Sequence, residues 1–331
     1  MILMAMHSLS LLSPKNLFFK RKVKGTLAFL LFIFVFLAFC SCASRAAIKA
    51  EEYFSIGMAY YDMGKYAEAE QWLNRARTAD RTMIASEYNL GRIAFETGRY
   101  EEASKHFESI LKKDPGNLMA LKSAAYSRIK NGDFDKAEVL YGRVIDIVPE
   151  DVDNGYNYAL VLYALGKYDR CEDILNKYQY SLDENAASML LFARTQKAQG
   201  KIESVDSYAK WSSMNAGANS QGLYEYAQVL ESAGLYARSL EQYREAINSI
   251  VGDTGTIDKS TMRFERARLL LTADPENPEG ITELSTAVQE GFSDTSGIEG
   301  LLRDERVNQD KKDEIRNIMN GMLDKDTEAE Q

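Results

Sequence analysis

Residues 53–76 have the sequence YFSIGMAYYDMGKYAEAEQWLNRA, in which Gly64 separates two segments whose apolar residues recur at helical spacing. A glycine returns at constant spacing from this point, and two positions after each one stands a large apolar residue. A fixed period of ~34 residues predicts an array of stacked repeats. The glycines are Gly64, Gly98, Gly132, Gly166, Gly200 and Gly234, and the large residues are Tyr66, Tyr100, Phe134, Tyr168, Ile202 and Tyr236.

Each repeat is predicted to be a pair of antiparallel helices. The glycine supplies a residue that can adopt positive φ, which suits the end of one helix and a tight turn into the next. Near the middle of the first helix of each repeat stands a small residue, which predicts that this helix is closely packed there. The repeats start at Ala50, Ile84, Leu118, Val152, Ala186 and Ser220, and the small residues are Gly57, Gly91, Ala125, Ala159, Ala193 and Ala227.

The second helix of each repeat also carries a small core residue, with larger residues four and seven positions later. Repeat five departs from this stripe, since Ala209 and Ser212 occupy its larger positions. The small core residues are Ala69, Ala103, Ala137, Cys171, Val205 and Ser239, and the larger residues that follow first are Leu73, Phe107, Tyr141, Leu175 and Tyr243.

These columns resemble the tetratricopeptide repeat family, whose unit is a pair of antiparallel helices with small residues at the close contacts. The resemblance covers Ala50 to Val251 and implies an all-α fold: an α-solenoid of helix pairs wound into a superhelix, with six regular repeats. It is specific in the first four repeats. Repeats five and six depart, since Ser212 and Gly217 stand where a small apolar residue and proline are usual.

After Val251 the register breaks at a segment rich in turn-forming residues, Gly252 to Thr256. We expect a degenerate seventh helix pair and capping helices over residues 252–323, because a solenoid needs an atypical unit to cover its end. The charged residues 324–331 are predicted to fray. The expected elements are a helix over Met262–Leu271, second-helix spacing at Gly280, Leu284 and Ala287, and closing helices over Leu301–Val307 and Ile315–Met322.

The first 41 residues carry five basic side chains and no acidic one, and they include an unbroken apolar run from Leu27 to Phe39. This run of 13 residues is short against the ~20 that span a bilayer as a helix. The pattern therefore predicts a signal peptide over residues 1–41.

Cys42 follows this segment and is preceded by the small residue Ser41, which resembles a bacterial lipoprotein processing site. We predict that Cys42 is lipidated and that residues 42–49 are a short tether to the first helix. Phe39 departs from the pattern, because leucine is usual three positions before the cysteine. In the alternative interpretation the segment from Thr26 to Ala43 stays as an uncleaved signal anchor.

Composition and motifs argue against several classes of function. The net charge is −9 and becomes −14 without residues 1–41, so nucleic acid is not an expected partner. Cys171 falls in a core column and is expected to be a buried structural thiol. His106 has no neighbouring cysteine or histidine to complete a metal site. We expect no cofactor, no metal and no catalytic activity, since the sequence displays no catalytic motif.

The resemblance implies a binding groove lined by the first helices of successive repeats. Its residues are aromatic in the first four repeats and include arginines, a composition expected of a protein-binding hot spot. In the alternative interpretation some of these rings only pack between helices. The predicted partner-binding residues are Phe54, Met58, Tyr61, Tyr88, Arg92, Phe95, Lys122, Tyr126, Tyr156, Tyr163, Arg194 and Tyr224.

Some members of the family bind the carboxylate of a chaperone with a lysine and an asparagine, but Phe54 and Met58 occupy those positions in the first repeat. That activity is therefore not implied. The leading hypothesis is a membrane-anchored adaptor of a bacterial envelope that holds another protein or peptide segment in its groove, with the periplasmic face favoured. The alternative hypothesis is a surface-displayed adhesin.

Overall fold

The computed structural model describes residues 47–178, 184–214, 219–250 and 257–329. Within those ranges every regular element is an α-helix, which confirms the predicted fold class. The predicted signal peptide, Cys42 and the segment Gly252 to Thr256 lie outside the described residues.

The helices are α1 (47–62), α2 (Tyr66–Ala79), α3 (Ile84–Glu96), α4 (Tyr100–Lys113), α5 (Leu118–Lys130), α6 (Phe134–Ile147), α7 (Val152–Ala164), α8 (Tyr168–Lys177), α9 (Ala186–Ala198), α10 (Ser204–Ser213), α11 (Ser220–Ser232), α12 (Tyr236–Ser249), α13 (Lys259–Ala273), α14 (Glu279–Gln289), α15 (Thr295–Arg303) and α16 (Gln309–Ala329). The described residues divide into two compact units, one that ends at Ile147 and one that begins at Val148. Within each unit the helices pack mainly on their neighbours in sequence, as expected for a solenoid.

The six periodic glycines end the first helix of each repeat, as the sequence predicts. Their φ angles lie between 69° and 79°, a region that residues with a side chain rarely adopt. After α1 the backbone N–H of Gly64 donates to the carbonyl of Tyr61 at 2.8 Å, and that of Lys65 donates to Tyr60 at 2.9 Å. These bonds satisfy carbonyl groups that the end of a helix leaves without partners.

The first helices of repeats two to six begin at the predicted repeat starts. In four of these helices an asparagine or aspartate caps the N-terminus by accepting a hydrogen bond from the backbone at 2.8 to 3.1 Å. This column was not among the sequence predictions, although the capping residues recur with the same period as the glycines. They are Asn117, Asp151, Asn185 and Asn219.

The small residues in the first helices allow close packing against the second helices. A Cβ atom at Gly57 would lie 2.9 Å from Cγ of Leu73, and a Cβ atom at Gly91 would lie 2.7 Å from Cε1 of Phe107. Leu73 and Phe107 are both buried. These contacts confirm that the first helix is closely packed at its middle.

Repeat five departs from the regular packing, and the structure gives the reason. Helix α10 begins at Ser204, while Ile202 is 67% exposed and does not anchor the turn. Tyr208 and Trp211 fill the core in the positions immediately before Ala209 and Ser212. A Cβ atom at residue 222 would lie only 2.4 Å from the indole of Trp211, so glycine is required at this position.

The C-terminal helices share one apolar core with the seventh helix pair. The rings of Phe264 and Phe292 stack in it at 4.1 Å. The first closing helix differs from the expected Leu301–Val307, because Asp294 caps α15 by accepting a hydrogen bond from the backbone N–H of Ser296 at 3.0 Å. Helix α16 continues to Ala329, through most of the segment that was expected to fray.

The close contact at Gly91 gives a first prediction. Gly91→Ala should lower stability by about 1–3 kcal/mol, because the added methyl group would lie 2.7 Å from Cε1 of the buried Phe107 and would force that ring to shift. Gly300→Ala is the control, since nothing lies within 4 Å of a Cβ there and alanine stabilises a helix interior by about 0.5–1 kcal/mol. Thermal unfolding followed by circular dichroism measures both; an unchanged midpoint for Gly91→Ala would contradict the packing.

Candidate functional site

Four of the predicted groove residues lie together on the first helices of the first unit, and we call them the aromatic face: Tyr61, Arg92, Phe95 and Tyr126. The guanidinium of Arg92 lies 4.5 Å from the ring centre of Tyr61, a cation–π contact between α1 and α3. The rings of Phe95 and Tyr126 lie 5.4 Å apart and join α3 to α5. The sequence-predicted residues therefore form a continuous strip across three repeats.

A recess of about 190 Å³ opens within the aromatic face. Phe107 is buried and forms part of its apolar lining, while Tyr126 is 41% exposed. Glu96 and Ser123 also line the recess, and neither was among the predicted groove residues. Glu96 follows Arg92 by four positions, and Ser123 precedes Tyr126 by three. Each spacing is about one helical turn, so helical spacing from the predicted residues would have identified both. The lining residues are Arg92, Phe95, Glu96, Phe107, Ser123 and Tyr126.

Burial and the charge of Arg92 shift the pKa of Tyr61 in opposite directions. Burial raises the pKa of its hydroxyl, and the nearby Arg92 opposes that shift less strongly. Tyr61 therefore stays neutral at physiological pH and can act as a hydrogen-bond donor. The aromatic face offers apolar rings with one cationic group from Arg92, and it carries no side chain arranged for acid–base chemistry.

The remaining predicted residues of the first unit are half-buried around this face. The hydroxyl of Tyr88 lies 3.1 Å from Oγ of Ser123, and its ring lies 5.2 Å from that of Phe107, so Tyr88 mainly packs between helices. Phe54 packs against the core of the first two repeats. Met58 and Lys122 are partly exposed on α1 and α5.

In the second unit, Tyr156 and Tyr163 are half-buried on α7. Burial raises the pKa of both hydroxyls. The ring of Tyr163 contacts that of Tyr168 at 5.5 Å. Tyr156 and Tyr163 remain partly accessible, but both also pack within the second unit.

Arg194 was predicted to line the groove, but in the structure its guanidinium forms an ion pair. Its Nε donates to Oε2 of Glu225 at 2.7 Å and its Nη2 donates to Oε1 at 3.2 Å. Burial alone would raise the pKa of Glu225, but hydrogen bonds from Arg194 and Gln221 hold it below its usual value. The pair connects repeats five and six, so Arg194 contributes chiefly to the stability of the array.

Tyr224 differs from the expectation that it lines an accessible groove. It is only 6% exposed, and its ring meets that of Tyr243 edge-on at 5.6 Å. Burial raises the pKa of its hydroxyl to about 12. Tyr224 belongs to an apolar core that it shares with Tyr243 of its own repeat and with Met262 and Leu269 of the helix that follows.

A second recess, of about 520 Å³, lies in the second unit and is polar. Its charged groups pair with one another: Nη2 of Arg268 donates to both carboxylate oxygens of Glu231 at 2.7 and 2.8 Å, and Nε of Arg268 donates to Glu265 at 2.7 Å. Arg306 pairs with Asp304 at 2.6 Å. Because these charged groups are paired with one another, they stabilise the fold more than they are available to a ligand.

Cys171 is the buried structural thiol that the sequence predicts. It is completely buried, and its Sγ donates to the carbonyl of Ala159 at 3.2 Å. Burial raises the pKa of the thiol, which disfavours the reactive thiolate. His106 contacts Glu87 through Nδ1 at 2.8 Å. In the described part of the chain no group of histidine, cysteine and acidic residues could hold a metal ion.

Two family comparisons match the chain. The tetratricopeptide repeat family matches residues 60–125, and the family of anaphase-promoting complex, cyclosome, subunit 3 matches residues 130–205. The first match covers most of the aromatic face. Both fall within the segment that carries the periodic glycines.

Individual proteins are similar as well. The crystal structure of a tetratricopeptide repeat protein from Parabacteroides merdae ATCC 43184 superimposes with a TM-score of 0.54 at 20% identity, over 76% of this chain and 97% of that one. At that identity the likeness shows the fold alone. An uncharacterized lipoprotein of Treponema pallidum (strain Nichols) is 24% identical over 161 residues, which are 49% of this chain and 82% of that protein.

The ion pair between repeats five and six gives a second prediction. Glu225→Gln should lower stability by about 1–2 kcal/mol at pH 7, because Arg194 loses a half-buried charged partner. The pKa of Glu225 is lower in the folded protein, so its contribution is present above the unfolded pKa of about 4.3 and is lost as pH falls through the folded value. The stability difference between the variant and the wild type should therefore shrink towards pH 3.

Thermal unfolding at pH 7 and at pH 3 measures this difference. Glu241→Gln is the matched control, since Glu241 pairs with Arg244 on an exposed helix surface and surface pairs contribute little. A Glu225→Gln midpoint equal to that of the wild type at pH 7 would show that the pair is not stabilising.

Proposed function

We propose that this chain, whose helix pairs are similar to tetratricopeptide repeats, is a membrane-anchored scaffold of the bacterial envelope that binds a segment of another protein on its aromatic face. The fold supports the general part of this proposal, since helical-repeat solenoids present extended binding surfaces. The aromatic face and its recess support the specific part.

The recess is the observation that carries the proposal. Its volume of about 190 Å³ is smaller than the ~300–1,000 Å³ of typical small-molecule sites, and it suits one large apolar side chain of a partner. Phe95 and Tyr126 supply ring surface at its edge, and aromatic residues lose little conformational entropy on binding. We expect the partner to place a leucine or an aromatic residue there as its main anchor.

Arg92 and Glu96 add direction to this binding surface. They carry opposite charges one helical turn apart on α3 at the recess, so polar groups that flank the partner's anchor can be oriented by them. Charges at the rim of an interface chiefly affect association rate and specificity. A partner segment with an apolar anchor flanked by an acidic residue, placed to meet Arg92, fits this arrangement best.

The anchoring part of the proposal rests on the sequence and on one relative. The apolar run from Leu27 to Phe39 and the adjacent Cys42 are typical of a lipoprotein signal. The related protein of Treponema pallidum is named as a lipoprotein. Among the described residues, none of the helices combines the length and apolarity that crossing a bilayer requires. A lipid on Cys42 would hold the chain at a membrane, because each CH₂ group of its acyl chains that is buried in the bilayer contributes about 0.8 kcal/mol to the free energy of membrane binding.

Removal of the two rings tests the binding surface. Phe95→Ala with Tyr126→Ala should weaken partner capture at least tenfold, because interface aromatic residues of this kind contribute about 2 kcal/mol or more each. Partners are captured by crosslinking in cells of the native host and identified by mass spectrometry. Tyr236→Ala is the matched control, since Tyr236 is 44% exposed and Tyr126 is 41% exposed, but Tyr236 lies outside the aromatic face.

The double variant should keep the helical circular dichroism of the wild type, so that lost capture reports on binding. Equal capture of the same envelope protein by the variant and the wild type would refute the assignment of the aromatic face.

Mass spectrometry of the mature N-terminus tests the anchoring. We expect a chain that begins at Cys42 and carries acyl groups, and Cys42→Ala should leave an unprocessed, non-acylated chain. A wild-type chain that retains residues 1–41 would favour the uncleaved signal anchor. Protease treatment of intact cells separates the two faces of the envelope: protection fits the periplasmic scaffold, and digestion fits a surface-displayed adhesin.

A further inference from the structure

A recess of about 440 Å³ lies between the start of α1 and the end of α2. Two of its lining residues are basic, one is aromatic, and none is acidic. Glu51 and Glu52 follow Lys49 on α1 but do not line it. The lining residues are Lys49, Tyr53, Asn74, Arg75, Thr78 and Ala79.

An aromatic pair stands beside these cations. The rings of Tyr53 and Trp72 lie 5.6 Å apart, and the guanidinium of Arg75 lies 4.4 Å from the centre of the Trp72 ring. Nζ of Lys49 lies 6.0 Å from the ring centre of Tyr53. Tryptophan and tyrosine with lysine and arginine are the residues that concentrate at the boundary between lipid and water.

The equivalent positions in the second repeat show that Tyr53 and Trp72 face the side on which a preceding repeat would lie. Glu87 and His106 stand one repeat period after Tyr53 and Trp72. They contact each other at 2.8 Å, and Glu87 also pairs with Arg77 of the preceding repeat at 3.2 Å. In the first repeat no helix precedes α1 within the described residues. Among the described residues, Tyr53 and Trp72 therefore occupy the end of the array, where the surface towards a preceding repeat is aromatic instead of charged.

The position of this end relative to Cys42 identifies what covers it. Because α1 and α2 are antiparallel, the start of α1 and the end of α2 lie at the same end of the helix pair. Only residues 43–46 separate Cys42 from the first described residue of α1, a reach of at most about 18 Å at ~3.5 Å per residue. A lipid on Cys42 would bring the recess to the headgroup layer.

From this placement we propose that the end of the first repeat is a membrane-docking surface: Lys49 and Arg75 receive the phosphates of anionic phospholipid headgroups, and Trp72 and Tyr53 lie at the level of the headgroups. The proposal rests on the anchoring at Cys42 described above. It adds that the array is held against the bilayer by its first repeat in a fixed orientation, which attachment through Cys42 alone would not impose. Each basic side chain near an anionic surface contributes to such docking.

The two tryptophans of the chain make this proposal testable. Trp211 is 2% exposed, whereas Trp72 is partly exposed at the docking surface. The full-length acylated protein is reconstituted into vesicles of phosphatidylglycerol and phosphatidylcholine in which part of the phosphatidylcholine carries a nitroxide, a short-range quencher of indole fluorescence, on its headgroup. The Trp72 emission, obtained as the difference between wild type and Trp72→Phe, should fall at least twofold relative to vesicles without the nitroxide. The Trp72→Phe variant alone should show no quenching, because its remaining indole is buried.

Charge is tested with Lys49→Gln and Arg75→Gln together. This variant should lose most of the quenching while it still floats with the vesicles, and wild type in vesicles of phosphatidylcholine alone should behave like the variant. Equal quenching of variant and wild type would overturn the assignment of headgroups to this recess. Wild-type protein that floats with the vesicles but shows no Trp72 quenching would overturn the docking surface, whereas protein that does not float would contradict the anchoring itself.

Discussion

The close approach of two helices at a residue without a bulky side chain is the contact on which the rest of this structure depends. At Gly57 and Gly91 the first helix of a repeat lies so near the second that one additional methyl group would overlap Leu73 or Phe107. Close-packed interiors tolerate little change in volume. This contact fixes the distance within each helix pair, and the periodic glycine turn fixes its direction. Side chains 31 residues apart, such as Arg194 and Glu225, can therefore reach one another in neighbouring repeats.

The aromatic face follows from that constraint. Arg92 can lie over the ring of Tyr61, and Phe95 can contact Tyr126, because α1, α3 and α5 are held side by side. The same spacing places Phe107 in the lining of the recess. The binding surface is therefore built from rigid helices, so a partner's anchor meets rings that are already in position. Such preorganisation reduces the entropy that binding costs.

Much of the fold could be predicted from the sequence, because the helix starts and turns depend on local signals that repeat in phase. Side-chain partnerships were harder to predict. Tyr224 occupies the same column as the partly exposed Tyr88, and each contacts a ring of its own second helix. Tyr224 is nevertheless buried, because its core also includes Met262 and Leu269 of the following helix, where the register of the repeats has broken. The pairing of Arg194 with Glu225 joins two repeats and becomes visible only when columns of neighbouring repeats are compared. The capping residues were detectable from local sequence, since an asparagine or aspartate recurs with the period of the glycines in repeats three to six.

The fit of Trp211 against Gly222 has an evolutionary consequence. Repeats that keep their columns in phase can be duplicated, deleted or exchanged by recombination, since each copy presents equivalent surfaces to its neighbours. Repeat five is an exception. The residue equivalent to Gly222 carries a Cβ in every other repeat, as Glu52, Ser86, Ala120, Asn154 and Ser188, and a Cβ would lie 2.4 Å from the indole. A repeat that follows repeat five must therefore keep glycine at this position, which none of the other repeats provides.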